Sequence, residues 1–207
     1  MGLFDFLRQP PQVQGRIGYF GLQDWWLSAF SDKERQYIQA THQPLGESGD
    51  LLTTGAIGYS GQTPVGLLWC LAGWFTKEQD RSIAYRILDK AEELASSGAP
   101  VLDRHFLYGQ EINIHYKDRD QQEHMDKAIW ACRQQIALAP EVANAFKDEY
   151  EDSPLPAHKG YEQLAIILEK QGSLQEAIEL AAQARAEGWS GDWARRIERC
   201  EEKAAKA

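Results

Sequence analysis

Cysteine is scarce and scattered. The 207 residues hold only 3 Cys, at Cys70, Cys132 and Cys200, far apart and without a CxxC pair. That spacing offers neither a disulfide framework nor the clustered ligands of a zinc site, so free structural thiols in a reducing compartment are expected. Long apolar runs are missing too, and no membrane-spanning helix is expected. The opening segment, Met1 to Leu7, is interrupted by Asp5 and runs into Pro10-Pro11, without the core and cleavage site of a signal peptide. Phe6 stands where a myristoylation signal places Ser or Thr. A cytoplasmic protein with no membrane partner is the expectation. Positive charge is in deficit: 22 Lys+Arg against 31 Asp+Glu give a formal net charge of −9. Such a chain repels polyanions, which excludes general nucleic-acid binding. The catalytic and phosphate-cradling patterns GxSxG, HExxH and GxxxxGK[ST] do not occur, so neither a cofactor nor chemistry of its own is expected.

What is present is helical periodicity and an abundance of rings. The 7 Trp and 8 Tyr suit the wide lateral surfaces between packed helices. Residues 1–18 read as an arm, tucked against the body or disordered. Residues 19–62 hold N-terminal helices and a loop punctuated by Gly46, Gly49, Gly55, Gly58 and Gly61, which reads as a linker. Ser31-Asp32-Lys33-Glu34 is a capping box that starts a helix reaching to about Thr41. Thr63-Pro64 then supplies an N-cap and a first helical residue, opening a helical array over 63–207. Leu68, Leu71, Ala72 and Phe75 form one apolar stripe, and Ile83, Ala84, Ile87, Leu88, Ala91 and Leu94 form its partner. The segment from about Leu102 to Lys117 is apolar on two sides, as befits a sandwiched helix. Met125, Ala128, Ile129, Cys132 and Ile136 mark its return, and a short helix is expected around Val142 to Tyr150. Ser173-Leu174-Gln175-Glu176 reads as a second capping box. A last helix from about Asp192 carries Trp193, Ile197 and Cys200 inward and leaves Arg195, Arg196, Glu198, Arg199 and Lys203 on a solvated outer face.

Two stretches carry the same spaced trio of alanines. Ala72, Ala84 and Ala91 stand twelve and then seven residues apart, and Ala165, Ala177 and Ala184 repeat the spacing. Small residues so placed let antiparallel helices lie close and let the next hairpin dock. With Tyr161, Leu164, Leu168, Gly172 and Ala181, residues 158–191 resemble the tetratricopeptide repeat, and residues 65–98 do so through Leu68, Leu71, Phe75 and Leu88. The middle stretch fits through Ala128, Cys132 and Pro140, with Tyr116 or Gly109 at the small-residue slot. The resemblance implies an all-α, irregular α-solenoid of about three TPR-like helical hairpins, with an N-terminal helical extension and a C-terminal capping helix.

It also implies a concave groove lined by the first helix of each hairpin. Carried over position by position, the groove takes Trp69, Gly73, Thr76 and Lys77, then Tyr108, Ile112, Asn113, His115 and Tyr116, then Lys159, Glu162, Ile166, Glu169 and Lys170. The implied work is binding another protein or a peptide, as a non-catalytic adaptor or assembly subunit. The basic-and-Asn pattern by which some members clamp a peptide C-terminus is not evident. A small-molecule-sensing regulator is the alternative, and an enzyme using His and carboxylates, with or without metal, is the second alternative. Glu111 and His115, four apart on one helix face, are able to ligate a metal only if others converge, with His105, His124 and His158 available; a helix-surface hydrogen bond is the plainer expectation.

Overall fold

In the computed structural model, residues 13–46, 49–151 and 153–206 are described. They are helical, with one isolated bridge between Ala157 and Ser190. Three short helices come first: α1 (Gly15–Tyr19), α2 (Gln23–Ala29) and α3 (Asp32–Thr41). The capping box forms as expected, since Ser31 Oγ accepts from the Glu34 N–H while the Glu34 carboxylate takes the Ser31 N–H at 2.8 Å. Five helices follow: α4 (Pro64–Ala72), α5 (Arg81–Ala95), α6 (Val101–His115), α7 (Gln122–Ala137) and α8 (Ala139–Glu149). Thr63 Oγ1 caps α4 by accepting from the Gly66 N–H at 2.9 Å. The chain closes with α9 (Lys159–Gln171), α10 (Leu174–Ala186) and α11 (Trp193–Ala204). Helices α4 and α5, α6 and α7, and α9 and α10 pack as consecutive pairs, and α6 also touches α4, α5, α8 and α9. All six alanines of the two trios are fully buried.

Several expectations are corrected. The glycine-punctuated loop is more than a linker: Leu52 and Thr53 are buried, and Gln14 and Gly15 donate to the carbonyls of Thr53 and Gly55 at 3.0 and 2.9 Å. Gly15 holds φ +59, and a Cβ there would lie 2.5 Å from the Leu51 carbonyl oxygen, so the loop crosses α1 where only glycine fits. Ile17, Trp26, Phe30 and Ile38 share one core with Leu68, Leu71, Phe75, Ile87 and Leu88. The hydrophobic core therefore runs through the boundary expected at residue 62. The described part of the arm, from Val13 on, is tucked into this body; residues 1–12 lie outside the described residues. The second capping box does not form. Gly172 takes φ +82 and ends α9, with the Ser173 N–H returning to the Leu168 carbonyl at 3.0 Å, while the Ser173 carbonyl opens α10 by accepting from the Ala177 N–H at 3.1 Å. The basic face of α11 is not solvated throughout, because Arg196, Arg199 and Lys203 all converge on Glu169 of α9, at 3.3, 2.8 and 2.7 Å.

Gln135 of α7, 1% exposed, ties the middle together. Its Nε2 donates to the His105 carbonyl of α6 at 2.8 Å, and its Oε1 accepts from the Gly160 N–H of α9 at 2.5 Å. The amide fits because glycines face it. A Cβ at Gly109 would stand 3.0 Å from Nε2, and one at Gly160 would stand 2.9 Å from Oε1 and 2.8 Å from the Cys132 carbonyl oxygen.

Replacing Gln135 by Leu strands the buried Gly160 N–H and takes from the His105 carbonyl its bond beyond the α6 ladder, and urea denaturation should show a loss of about 1–3 kcal/mol. Ala177→Arg should cost about 1–3 kcal/mol or more by overpacking, while exposed Glu198→Ala should be nearly neutral. A Q135L protein as stable as the native one, or a reversed order of the other two, would show the helix pairing to be misassigned.

Candidate functional site

Helix α6 lies between α4 and α9, and a furrow follows the open seam. Two neighbouring pockets, of about 360 and 460 Å³, adjoin at Gly73 and Gln110, which line both, and together make up the furrow. At one end are Trp69, Cys70 and Trp74, with Trp69 stacked on Phe106 at 5.2 Å between ring centres. At the other are Asn113, Tyr116, Lys117, Lys159 and Gln163. Gly73 permits the join, since a Cβ there would press within 3.3 Å of Gln110 Nε2.

The furrow's charge opposes that of the chain. Arg16, Lys117 and Lys159 line it, and no Asp or Glu does so among the described residues, although the net charge is −9. Beneath its floor Trp69 Nε1 and Gln163 Nε2 are buried donors without a hydrogen-bond partner. Cys70 is no nucleophile, because burial pushes its thiol up to about 11. The arrangement offers donors, cations and rings, which suits recognition of an acceptor-rich ligand.

The residues expected in the groove divide. Trp69, Ile112 and Tyr116 line the furrow. Lys170 is close by, its Nζ 3.2 Å from the Tyr116 hydroxyl. Lys77 is exposed and precedes the short 3₁₀ turn at Glu78–Asp80; neither it nor Glu162 or Ile166 lines the furrow. Glu169 is committed to α11, and its bond to Arg199 holds its carboxyl down at about 2. Tyr108 and His115 lie on the opposite side of α6, with Tyr108 edge-on to Trp130 of α7 at 5.6 Å. They stand seven residues apart, close to two helical turns, and so share a face from which Asn113 is turned away. Gln110, Lys117 and Gln163 were missed. Gln110 and Asn113 on α6 and Lys117 just beyond its end stand at i, i+3 and i+7, the spacing of a polar stripe, and that was the available signal.

The opposite side holds the titratable groups. Glu111 is fully buried, neither oxygen accepts a hydrogen bond, and its nearest cation is Lys127 Nζ at 4.0 Å. Burial pushes its carboxyl up to about 8. His115 and His124 meet Nδ1 to Nδ1 at 2.9 Å, and both rings stack on Tyr85, at 4.8 and 4.5 Å. Tyr85 and Arg81 both bond to Asp118. His124 thus does converge on His115, yet no group of three or more His, Cys, Asp or Glu is placed to hold a metal among the described residues. His105 and His158 pack 5.1 Å apart under Trp189, and the His158 Nδ1 accepts from the Tyr161 N–H at the start of α9. Burial holds His105 and His115 down at about 4 and His158 at about 3.

No protein-family model, curated protein or solved structure matches the chain.

The buried histidines contribute to the acid limb of stability, beside the ion-paired Glu34 and Glu169. The histidines' folded values lie below the ordinary 6.5, so the stability they carry is present above pH 6.5 and is lost as pH falls from there toward about 4. Glu111 works in the other direction. Its penalty is absent below its ordinary 4.5 and grows as pH rises to about 8. Thermal melts should show Glu111→Gln gaining on the native protein progressively across that second window. A gain independent of pH would mean that Glu111 is ionised in the fold.

Proposed function

We propose that this chain is a non-catalytic binding protein, an adaptor or assembly subunit of the cytoplasm, whose helical pairs form an irregular TPR-like array. The furrow along α4, α6 and α9 receives an extended segment of a protein or peptide partner. The observation that carries this reading is the segregation of charge: a channel bearing Arg16, Lys117 and Lys159 and no carboxylate among the described residues, on a chain with a net charge of −9. Such a channel favours an acidic segment and repels a basic one, and the contrast with the surrounding surface sets the register. Gln110, Asn113 and Gln163 are able to pair with the segment's backbone and carboxylates, which a flexible peptide presents in excess. The stacked Trp69–Phe106 pair and half-exposed Trp74 supply an apolar anchor at the other end. The partner is therefore a segment with an aromatic or aliphatic side chain followed by Asp or Glu.

Fluorescence anisotropy with labelled peptides of that pattern tests the reading. An acidic peptide should bind more tightly than its Lys-substituted counterpart, and the difference should shrink as salt rises. Lys159→Glu should weaken it by roughly tenfold, equivalent to about 1.4 kcal/mol. Trp69→Ala should do so through loss of the anchor. Equal binding of acidic and basic peptides, or indifference to Lys159→Glu, would remove the furrow from the account.

A further inference from the structure

The face of α6 turned away from the furrow borders a second pocket, of about 540 Å³, between Tyr85 and Asp89 of α5 and His124, Lys127 and Trp130 of α7. Its charge is the reverse of the furrow's. Asp89, Glu123 and Asp126 line it, and Lys127 is its one lysine or arginine among the described residues. Lys127 shows what the pocket holds. Its Nζ sits 4.1 Å above the Trp130 ring, donates to Glu92 at 2.5 Å and stops 4.0 Å from Glu111. An alkylammonium on an indole face beside carboxylates is a built cation site. The site is underfilled, because the one ammonium is bonded to Glu92, stops 4.0 Å from Glu111 and acts on Asp89 only through its charge, and Glu111 is left fully buried with two oxygens and no donor. A buried polar group in that state calls for a missing partner.

We propose that this pocket binds an aliphatic di- or polyamine, whose ammonium groups supply the N–H donors that Glu111 lacks and neutralise Asp89 and the acidic rim. The proposal is independent of the furrow. The histidines do not turn the pocket into a metal site: His115 and His124 are engaged with each other at 2.9 Å, and no third ligating side chain joins them among the described residues. They form, with Tyr85, a flat wall along which a methylene chain packs. Glu111 lies behind Lys127 rather than on the pocket wall, so the ligand's ammonium enters beside Lys127, whose side chain is 27% exposed. Binding moves a proton as well. Glu111 holds its proton because burial, Glu92 and Asp89 oppose ionisation and Lys127 alone favours it. A second ammonium beside it tips the balance, and the proton leaves to solvent.

Isothermal titration calorimetry of the full chain with spermidine, run at neutral pH in two buffers of different ionisation enthalpy, tests this. Glutamate serves as the anionic control. Spermidine should bind with release of protons, and glutamate should not bind. Glu111→Gln, which removes a folding penalty and keeps the shape, should weaken spermidine by roughly tenfold or more and abolish the proton release. Asp89→Asn should weaken it with proton release retained. Three results would overturn the proposal: no spermidine binding, equal spermidine binding to E111Q, or zinc alone displacing spermidine from the pocket.

Discussion

One buried amide holds the centre of the molecule in register. Gln135 reaches from α7 to the His105 carbonyl on one side and the Gly160 N–H on the other, and no other side chain offers both a donor and an acceptor at that reach. The bridge fixes α6 and α9 relative to α7, and Gly109 and Gly160 must stay small for the amide to enter. Because α6 is set in this way, its two long faces are set as well. One turns Gln110, Asn113 and Lys117 toward α4 and α9, and the other turns Glu111 and His115 toward α5 and α7.

The consequence is a sorting of charge across a single helix. Lysines gather where α4, α6 and α9 leave a seam, and carboxylates gather where α5 and α7 close over the back. On a chain with net charge −9, the furrow is lined by Arg16, Lys117 and Lys159 and by no Asp or Glu among the described residues. The ends of the molecule are fastened by other means. The N-terminal helices join the α4–α5 core through Trp26, Phe30 and Ile38, and α11 is held by three cations on Glu169. The N-terminal part also contributes Arg16, His42, Pro44 and Gln62 to the furrow's lining, whereas α11 contributes none of it among the described residues.

Much of the fold was legible in the sequence. The alanine trios, the Ser31 capping box, the Thr63-Pro64 start and the Gly172 turn are local signals, each tied to a fixed spacing or a backbone angle, and each stands where it was expected. One failure was local and the others were tertiary. Ser173 has the residues of a cap, but the Schellman turn of α9 claims its N–H. Arg196 and Arg199 look solvated on a helical wheel, and only the approach of α9 brings Glu169 to them. The site was half legible for the same reason. A helix apolar on two sides gives no sign of which side faces which neighbour, so Tyr108 and His115 were assigned to the seam that belongs to Gln110 and Lys117. Gln135 gave no sequence signal of its role, since an isolated glutamine on an amphipathic helix is ordinarily solvated.

Site-specific photocrosslinking in living cells tests the central claim most directly. A photoreactive residue placed at exposed Asn113, on the furrow, is compared with one at exposed Glu198, on α11. The account predicts a discrete adduct with a protein partner from position 113, lost when Lys117 and Lys159 are both changed to Glu, and none from position 198. Adducts from position 198 alone, or an adduct at 113 that survives both charge reversals, would contradict it.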